Sequence, residues 1–208
     1  LDGIFKTTPY SQQLTNQSTW VIKGLEITQT LQLIGDPTNP QVGNVKVTYT
    51  VKNPTNRHVS IGARILLDTM LGENDASPIT FSGQNTFIHK ETEVEGGNIP
   101  YYWRAADDPI APRVISYGFL EGWGNKRPDK LILAHWEGIS RTKWDYIVNS
   151  EMDFTSDRNI YGSADSAVAL YWNPVSLSPG KEIVFETYYG LGNLNLRQEK
   201  AKYGLQVF

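Results

Sequence analysis

Cysteine is absent from this chain of 208 residues. Its absence excludes disulfide bonds, thiolate chemistry and zinc sites built on thiolates, so packing must hold the fold together. A chain of this size without cysteine fits the cytosol, and it also fits bacterial proteins that are exported without disulfides. Asn, Thr, Gly and Tyr are abundant while Met occurs only twice, a composition that favours an extracellular or cell-surface location.

The sequence also lacks an apolar run of the roughly 18 residues that a helix needs to cross a bilayer. We therefore expect no membrane insertion. An excess of basic residues is missing as well, because the formal net charge is -3 and charged residues of both signs make up 20% of the chain. Without a broad positive field, nucleic acid is not an expected partner.

Helical periodicity is scarce, since no segment keeps apolar residues at a spacing of 3.6 through three turns. The best helical candidate covers residues 142–148. Alternation is common instead, as in NVKVTYTV, where Val45, Val47, Tyr49 and Val51 share one face of a predicted strand. Similar patterns predict strands at 20–34, 44–51, 60–68, 86–94, 113–120, 130–136, 166–172 and 181–189.

Turn-forming segments such as GDPTNPQVGN, KNPTNRH and LSPGKE separate these strands. Strands at this spacing, without helices between them, are typical of antiparallel sheets. The chain length lies within the range of one all-β domain. We therefore predict a single antiparallel β-sandwich, or a supersandwich, that spans residues 1–208.

Aromatic residues cluster beside turn formers in the middle of the chain, in YYWRAADDP, EGWGNKRP and RTKWDY. A ring with polar and turn-forming neighbours tends to stand at a surface, where it can stack on a flat partner such as a sugar. The alternative is that these rings close the ends of the sandwich. The predicted platforms are Trp103 and Trp123, supported by Tyr101, Tyr102, Trp144 and Tyr146, with Asn125, Arg104 and Asp107 as hydrogen-bond partners.

Alternation decides which of these rings share a face if their segments are extended. Tyr101 and Trp103 would then lie on one face and Tyr102 on the other. Trp144 and Tyr146 are also two residues apart, so they would share a face. The sequence does not say whether that face meets solvent or the core.

Oxygen ligands surround Gly72 in LLDTMLGENDASPI, directly after an apolar strand. Calcium binds carboxylate and carbonyl oxygens from such loops, although the spacing differs from the twelve-residue calcium loop that lies between two helices. Asp68, Asn74 and Asp75 are the candidate ligands if this loop holds a structural calcium ion. The alternative is a polar hairpin in which Asp68 or Asn74 caps backbone amides. No other cofactor is expected.

Catalytic signatures are missing. The three histidines, His58, His89 and His135, lie on separate segments without the paired spacing of a metal site. The sequence contains no nucleophile elbow of the G-x-S-x-G type, no phosphate-binding glycine loop and no dinucleotide fingerprint. Glycoside hydrolysis needs only two carboxylates, and spacing selects no pair here. We expect a noncatalytic protein.

Two segments, VKNPTNRHVSIGARILLDTMLGENDASPI and DSAVALYWNPVSLSPGKEIVFETYYGLG, together resemble secreted β-sandwich domains of bacterial surface proteins. Some of these domains are supersandwiches similar to galactose mutarotase. The resemblance covers about a quarter of the chain, and it implies an extracellular β-rich module of the kind attached to polysaccharide-handling or adhesive proteins. The catalytic His and Glu that mutarotase-like enzymes need have no matching residues here.

These observations together predict a noncatalytic carbohydrate-binding module that forms part of a larger, secreted or cell-surface bacterial protein. Its expected partner is a polysaccharide, either starch or a plant cell-wall glycan. The alternative is a structural or adhesive module whose rings pack against a neighbouring domain or protein. A carbohydrate-active enzyme is the third and least favoured interpretation.

Overall fold

The computed structural model describes residues 4–12, 14–35, 43–121 and 126–191. Helices within these ranges are short: a 3-10 turn at Gly96–Asn98 and the five-residue α1 (Trp136–Ser140). None is long and apolar enough to cross a membrane. The strands are β1 (Ile4–Gln12), β2 (Thr15–Ile22), β3 (Leu25–Gly35), β4 (Gly43–Lys52), β5 (Val59–Asp68), β6 (Ile79–Phe81), β7 (Thr92–Glu95), β8 (Tyr102–Ala106), β9 (Ile115–Phe119), β10 (Lys130–Ala134), β11 (Ala167–Leu177) and β12 (Glu182–Leu191).

The chain divides into two compact units. The first comprises the described residues of 1–61, 121–126 and 174–208, and the second comprises 62–120 and 127–173. The division falls within β5 and within β11, so both units contain part of each strand. The prediction of one domain over residues 1–208 stays a prediction.

The first unit contains five antiparallel strands in the order β1, β2, β3, β4 and β12. Lys23 and Gly24 join β2 to β3, with φ angles of 52° and 82°. Two consecutive residues with positive φ form the tight turn whose twist matches a hairpin. One continuous strand over residues 20–34 is therefore a wrong prediction, because the chain reverses at this turn.

The alternation predicted for β4 is confirmed in this unit. Val47 lies opposite Leu31 of β3, and Val51 lies opposite Ile27, so apolar side chains share one face. Hydroxyl and amide groups occupy the other face. The Thr19 and Thr28 hydroxyls there lie 2.9 Å apart, and the amide of Gln17 donates to the Thr30 hydroxyl at 3.1 Å.

The second unit contains strands of two antiparallel sheets: β9, β8 and β6 are the last three strands of the eight-stranded sheet, and β5, β11, β10 and β7 form the four-stranded sheet. In the centre of the second sheet, β10 and residues 167–172 of β11 are buried on both faces. Leu131 and Leu133 lie on one face of β10, while Ile132 and Ala134 lie on the other, and all four are at most 1% exposed. The predicted all-β antiparallel sandwich is confirmed.

A short helix and an irregular segment follow β10 and cover one face of its sheet. Trp144, Tyr146 and Val148 pack against a core cluster that includes Ile132 and Ile139. Residues 142–148 form neither a helix nor a strand, and residues 143 and 144 form a bend, so the helix expected there is wrong. Their inward side chains recur every second residue, which is the period of a strand.

Helix α1 forms instead over Trp136–Ser140, because both of its ends have hydrogen-bond partners. Nδ1 of His135 accepts from the Glu137 amide at 3.2 Å, which caps the first turn. The Arg64 guanidinium donates to the carbonyl oxygens of Ile139 and Thr142 at 2.7 and 2.6 Å. The helix therefore depends on a side chain from β5.

Candidate functional site

Strands β6, β8 and β9 bring a polar and aromatic group of side chains together on one face of their sheet. Thr80 pairs with Arg104, and Arg104 pairs with Tyr117. Tyr102 lies two residues before Arg104 and therefore on the same face. We call these four residues, Thr80, Tyr102, Arg104 and Tyr117, the Arg104 face.

The rings of the Arg104 face are close to one another and partly accessible. The ring centroids of Tyr102 and Tyr117 lie 5.8 Å apart with the planes tilted by 57°. The ring of Phe119 lies 5.9 Å from that of Tyr117 and nearly parallel to it. Tyr102, Arg104 and Tyr117 are each partly exposed, whereas Phe119 is buried. A flat ligand could therefore contact the rings of Tyr102 and Tyr117, next to the buried ring of Phe119.

Among the described residues, Arg104 has one hydrogen-bond partner. Its Nε donates to the hydroxyl of Thr80 at 2.7 Å, and Thr80 is fully buried. This bond fixes the plane of the guanidinium and leaves the N–H groups of its two terminal nitrogens available to donate to oxygens of a ligand. The sequence pointed to Tyr102 and Arg104, but it did not point to Thr80 or Tyr117.

Trp103 is a core residue, and the prediction that it forms an exposed platform is wrong. Its side chain is 0% exposed. It lies directly across from Gly118 in the pairing of β8 with β9, and its indole occupies the space where any larger residue would place a Cβ. Alternation was predicted correctly, but Trp103 rather than Tyr102 takes the inward face.

Tyr101 is exposed, at 65%, just before β8 begins. The guanidinium carbon of Arg127 lies 5.2 Å from the centre of its ring, a distance typical of a cation–π contact. Trp123 and Asn125, the other predicted platform and one of its polar partners, lie outside the described residues.

Asp107 is engaged by its own loop. One carboxylate oxygen accepts from the backbone amides of Arg113 and Val114 at 2.9 and 3.0 Å. These hydrogen bonds, with the charge of Arg113, hold the pKa of Asp107 below its ordinary value. The structure thus gives Asp107 the role of a loop cap, at the end of β8 that lies beyond Arg104.

Trp144 and Tyr146 share a face, as predicted, but that face meets the sheet. Both rings are partly buried against the core cluster. The Trp144 ring makes an edge contact with Tyr171 at 5.6 Å. Their assignment to an open binding surface is corrected, because the neighbouring exposed positions, such as Ile147 at 92%, are the ones that face water.

Glu91 is the centre of a buried hydrogen-bond network that the sequence did not reveal. This network holds the segment after α1, residues 142–149, which we call the covering segment. The carboxylate of Glu91, only 2% exposed, accepts from the Tyr146 hydroxyl at 2.6 Å and from the amides of His135 and Asn149 at 3.1 and 2.9 Å. Burial and this bond to Glu91 raise the pKa of Tyr146. The residues involved are far apart in sequence, so only the tertiary structure brings them together.

His135 is also fully buried. Its Nε2 lies 2.9 Å from the carbonyl oxygen of Ser163, which requires a proton on that nitrogen, while Nδ1 accepts from Glu137. This pattern of hydrogen bonds places a proton on Nε2 and a lone pair on Nδ1. Both nitrogens are occupied by structural hydrogen bonds.

Three carboxylates converge at the end of β5. Oxygens of Asp68, Asp75 and Asp165 all lie within 4.8 Å of one another. Asp68 ends β5 and Asp165 precedes β11, and these antiparallel neighbours meet at that end of the sheet. Hydrogen bonds from the Ser166 amide to the Asp75 carbonyl at 2.9 Å and from the Thr69 hydroxyl to the Ser166 carbonyl at 3.0 Å fix the backbone there.

The three carboxylates are a suitable donor set for a hard divalent cation. One oxygen of Asp165 is buried and has no hydrogen-bond partner. Burial and the nearby charges of Asp75, Asp68 and Glu137 raise the pKa of Asp165 to about 7. Burial and Asp75 also raise the pKa of Asp68. A bound cation would therefore stabilise the negatively charged form of these carboxylates.

Asn74 does not join this cluster, which corrects its prediction as a ligand. Its side-chain oxygen accepts from the Ala76 amide at 2.9 Å, and its nitrogen donates to the Asp107 carbonyl at 2.9 Å. Asn74 therefore stabilises the turn, as the alternative interpretation expected. Asp165 takes its place, although 90 residues separate it from Asp75 in sequence.

No protein family and no curated protein sequence matches this chain. Among solved structures, a galactose mutarotase related enzyme from Lactobacillus acidophilus is similar over 93% of this chain and 72% of its own, with 8% identity and a TM-score of 0.52. At this identity the likeness concerns the fold alone, and it agrees with the β-sandwich described above. A TPR-domain containing protein from Parabacteroides distasonis matches 99% of this chain and 36% of its own, with 11% identity and a TM-score of 0.47.

Proposed function

We propose that this chain is a noncatalytic carbohydrate-binding module of a secreted or cell-surface bacterial protein, and that polysaccharide binds on the Arg104 face. The observation that supports this most directly is the pair of partly exposed tyrosine rings beside Arg104. The C–H face of a pyranose packs on such rings, and its hydroxyls accept hydrogen bonds from a guanidinium. The similar fold of a galactose mutarotase related enzyme is in keeping with sugar as the ligand.

The proposed affinity is modest. Stacking on an aromatic side chain contributes about 1 to 3 kcal/mol per ring in nucleic-acid binding proteins, and we take the lower end for sugar. Two rings with one arginine then correspond to micromolar to millimolar dissociation constants after ordering costs. A module of this strength works by avidity as one part of a larger protein.

Replacement of Tyr117 tests the proposal that glycan binds on the Arg104 face. In affinity electrophoresis through gels that contain starch, cellulose, xylan, mannan or a pectic glycan, the parent chain should be retarded by at least one of them. Tyr117→Ala should weaken that retention about fivefold, which corresponds to about 1 kcal/mol. Tyr117→Phe keeps the ring and should retain most of the binding.

Three observations distinguish this proposal from the alternative functions. Thermal unfolding of both variants checks that retention is lost without loss of fold. A parent chain that no glycan retards would support the structural or adhesive alternative. Release of reducing ends during incubation with glycan would show that the chain is an enzyme.

We also propose that Asp68, Asp75 and Asp165 hold a structural calcium ion. When a chelator keeps calcium away from the protein, the raised pKa of Asp165 means that the folded state binds more protons than the unfolded state between about pH 4 and pH 7. The free energy of unfolding then falls as pH rises through this range. Calcium should reverse that loss at pH 8, because it replaces the protons.

The expected result is a higher melting temperature at pH 8 on addition of calcium, with little change at pH 5. Calcium at a hundred times its dissociation constant would contribute about 2.7 kcal/mol, or about 5 to 10 °C for a chain of this size. Asp165→Asn should abolish the response, while Asp157→Asn, on an exposed loop, should retain it. Equal melting temperatures with calcium and with chelator at pH 8 would refute the site.

A further inference from the structure

The guanidinium of Arg104 has fewer partners than the partly buried cations of Arg64 and Lys130 in the same unit. Arg64 donates to two carbonyl oxygens at the end of α1. Lys130 has carboxylates of Glu93 and Glu95 at 3.5 and 3.9 Å. Within the part of the chain that the structure describes, Arg104 has only the Thr80 hydroxyl as a partner, and no carboxylate lies within ion-pair distance of it.

A partly desolvated arginine with neither a counter-ion nor several hydrogen-bond acceptors is unusual, because burial of a charge is costly unless the charge is paired or hydrogen-bonded. The planar guanidinium presents two N–H groups that match the two oxygens of a carboxylate. The bond from Nε to Thr80 holds this fork in a fixed plane. The geometry therefore favours a ligand that brings its own carboxylate to Arg104.

The neighbouring rings limit what that ligand can be. Tyr117 is directly opposite Arg104 in the strand pairing, and opposite residues have Cβ atoms about 4.5 to 5.5 Å apart. In a uronic acid the carboxylate is bonded directly to ring carbon C5, so the charged group lies at the edge of the pyranose ring, and one sugar residue can contact Tyr117 and Arg104 together. A uronic acid whose pyranose ring stacks on Tyr117 would thus place its carboxylate beside Arg104.

We propose that the Arg104 face recognises a uronic acid residue, so that the bound polysaccharide is acidic. This inference rests on the proposed carbohydrate-binding function and narrows its ligand class. The net charge of the chain is -3, so general attraction does not bring an acidic polymer to this protein. Selectivity must come from the local contact with Arg104.

Polygalacturonate and its fully methyl-esterified form test the inference, because they share one backbone and differ in the free carboxylate. In affinity electrophoresis the parent chain should bind polygalacturonate at least about tenfold more tightly than the ester, since a hydrogen bond to a charged group is stronger than one to a neutral group. Arg104→Gln should remove the difference. Arg104→Lys should restore part of it, because lysine keeps the charge without the fork.

A second measurement does not depend on whether a variant folds. Calorimetric titration of the parent protein with digalacturonate and with its methyl ester should show tighter binding of the acid, and added salt should weaken that preference. Dextran sulfate serves as a control for simple charge attraction, and we expect it to bind more weakly than polygalacturonate.

The outcomes are distinguishable. Equal retention by polygalacturonate and its ester, or retention by neutral glycans alone, would overturn the uronic acid inference and leave the carbohydrate-binding proposal standing. Dextran sulfate bound as tightly as polygalacturonate would also overturn it. Failure to bind any glycan would remove both proposals together.

Discussion

Gly118→Ala is expected to destabilise the second unit strongly. A Cβ at this position would overlap Cε2, Nε1 and Cζ2 of the Trp103 indole. The indole is 0% exposed, so it cannot swing into solvent, and either the ring or β9 must shift. Overpacking of a well-packed core costs about 1 to 3 kcal/mol and sometimes more, and we expect the upper end, measured as a decrease in the free energy of unfolding in urea.

Gly97→Ala is the matched control. A Cβ at Gly97 would have no atom within 4 Å, and its φ is not positive, so the change should cost less than about 0.5 kcal/mol. The double variant Trp103→Leu with Gly118→Ala should lose less than the two single losses added together, because the smaller side chain makes room for the methyl group. Equal stability of Gly118→Ala and Gly97→Ala would contradict the packing that we describe.

Glu91→Ala is expected to have a comparably large effect. The carboxylate accepts three hydrogen bonds in a buried site, and its removal leaves the Tyr146 hydroxyl and two backbone amides without a partner. Each buried unsatisfied donor costs about 1 to 3 kcal/mol, so the total loss should reach at least about 3 kcal/mol. Urea denaturation followed by tryptophan fluorescence would report it, because Trp144 lies in the segment that the network holds.

Glu93→Ala provides the comparison for Glu91→Ala. Glu93 lies two residues further along the chain and contacts Lys130 at 3.5 Å in a partly exposed ion pair. Such pairs contribute about 0 to 1 kcal/mol. If both variants lost the same small amount, the three hydrogen bonds to Glu91 would not be stabilising the covering segment.

The Arg104 face shows how far sequence reasoning could reach. Strand alternation placed Tyr102 on one face and Trp103 on the other, and it was correct. It could not say which face was inside, since both residues are large aromatics with similar neighbours along the chain. The register of β8 on β9 decides this, because Gly118 lies opposite position 103 and leaves space for an indole.

The carboxylate cluster and the Glu91 network show a different limit. Asp68 and Asp75 are close in sequence and could be recognised as a loop of oxygen ligands. Asp165 could not, because it joins them only through the pairing of β5 with β11. The partners of Glu91 begin at His135, 44 residues away, and no local pattern signals a contact at that separation.

Local patterns in the sequence are sufficient to predict that this protein consists of antiparallel strands, where most of those strands lie and which side chains alternate along them. These properties follow from interactions between residues that are near one another in the chain, which composition and periodicity record. Packing between distant strands, in contrast, sets which aromatic rings are buried, which carboxylates meet and that Arg104 has one hydrogen-bond partner among the described residues. Those outcomes depend on the register between strands distant in sequence, and a shift of one residue would send every side chain to the opposite face.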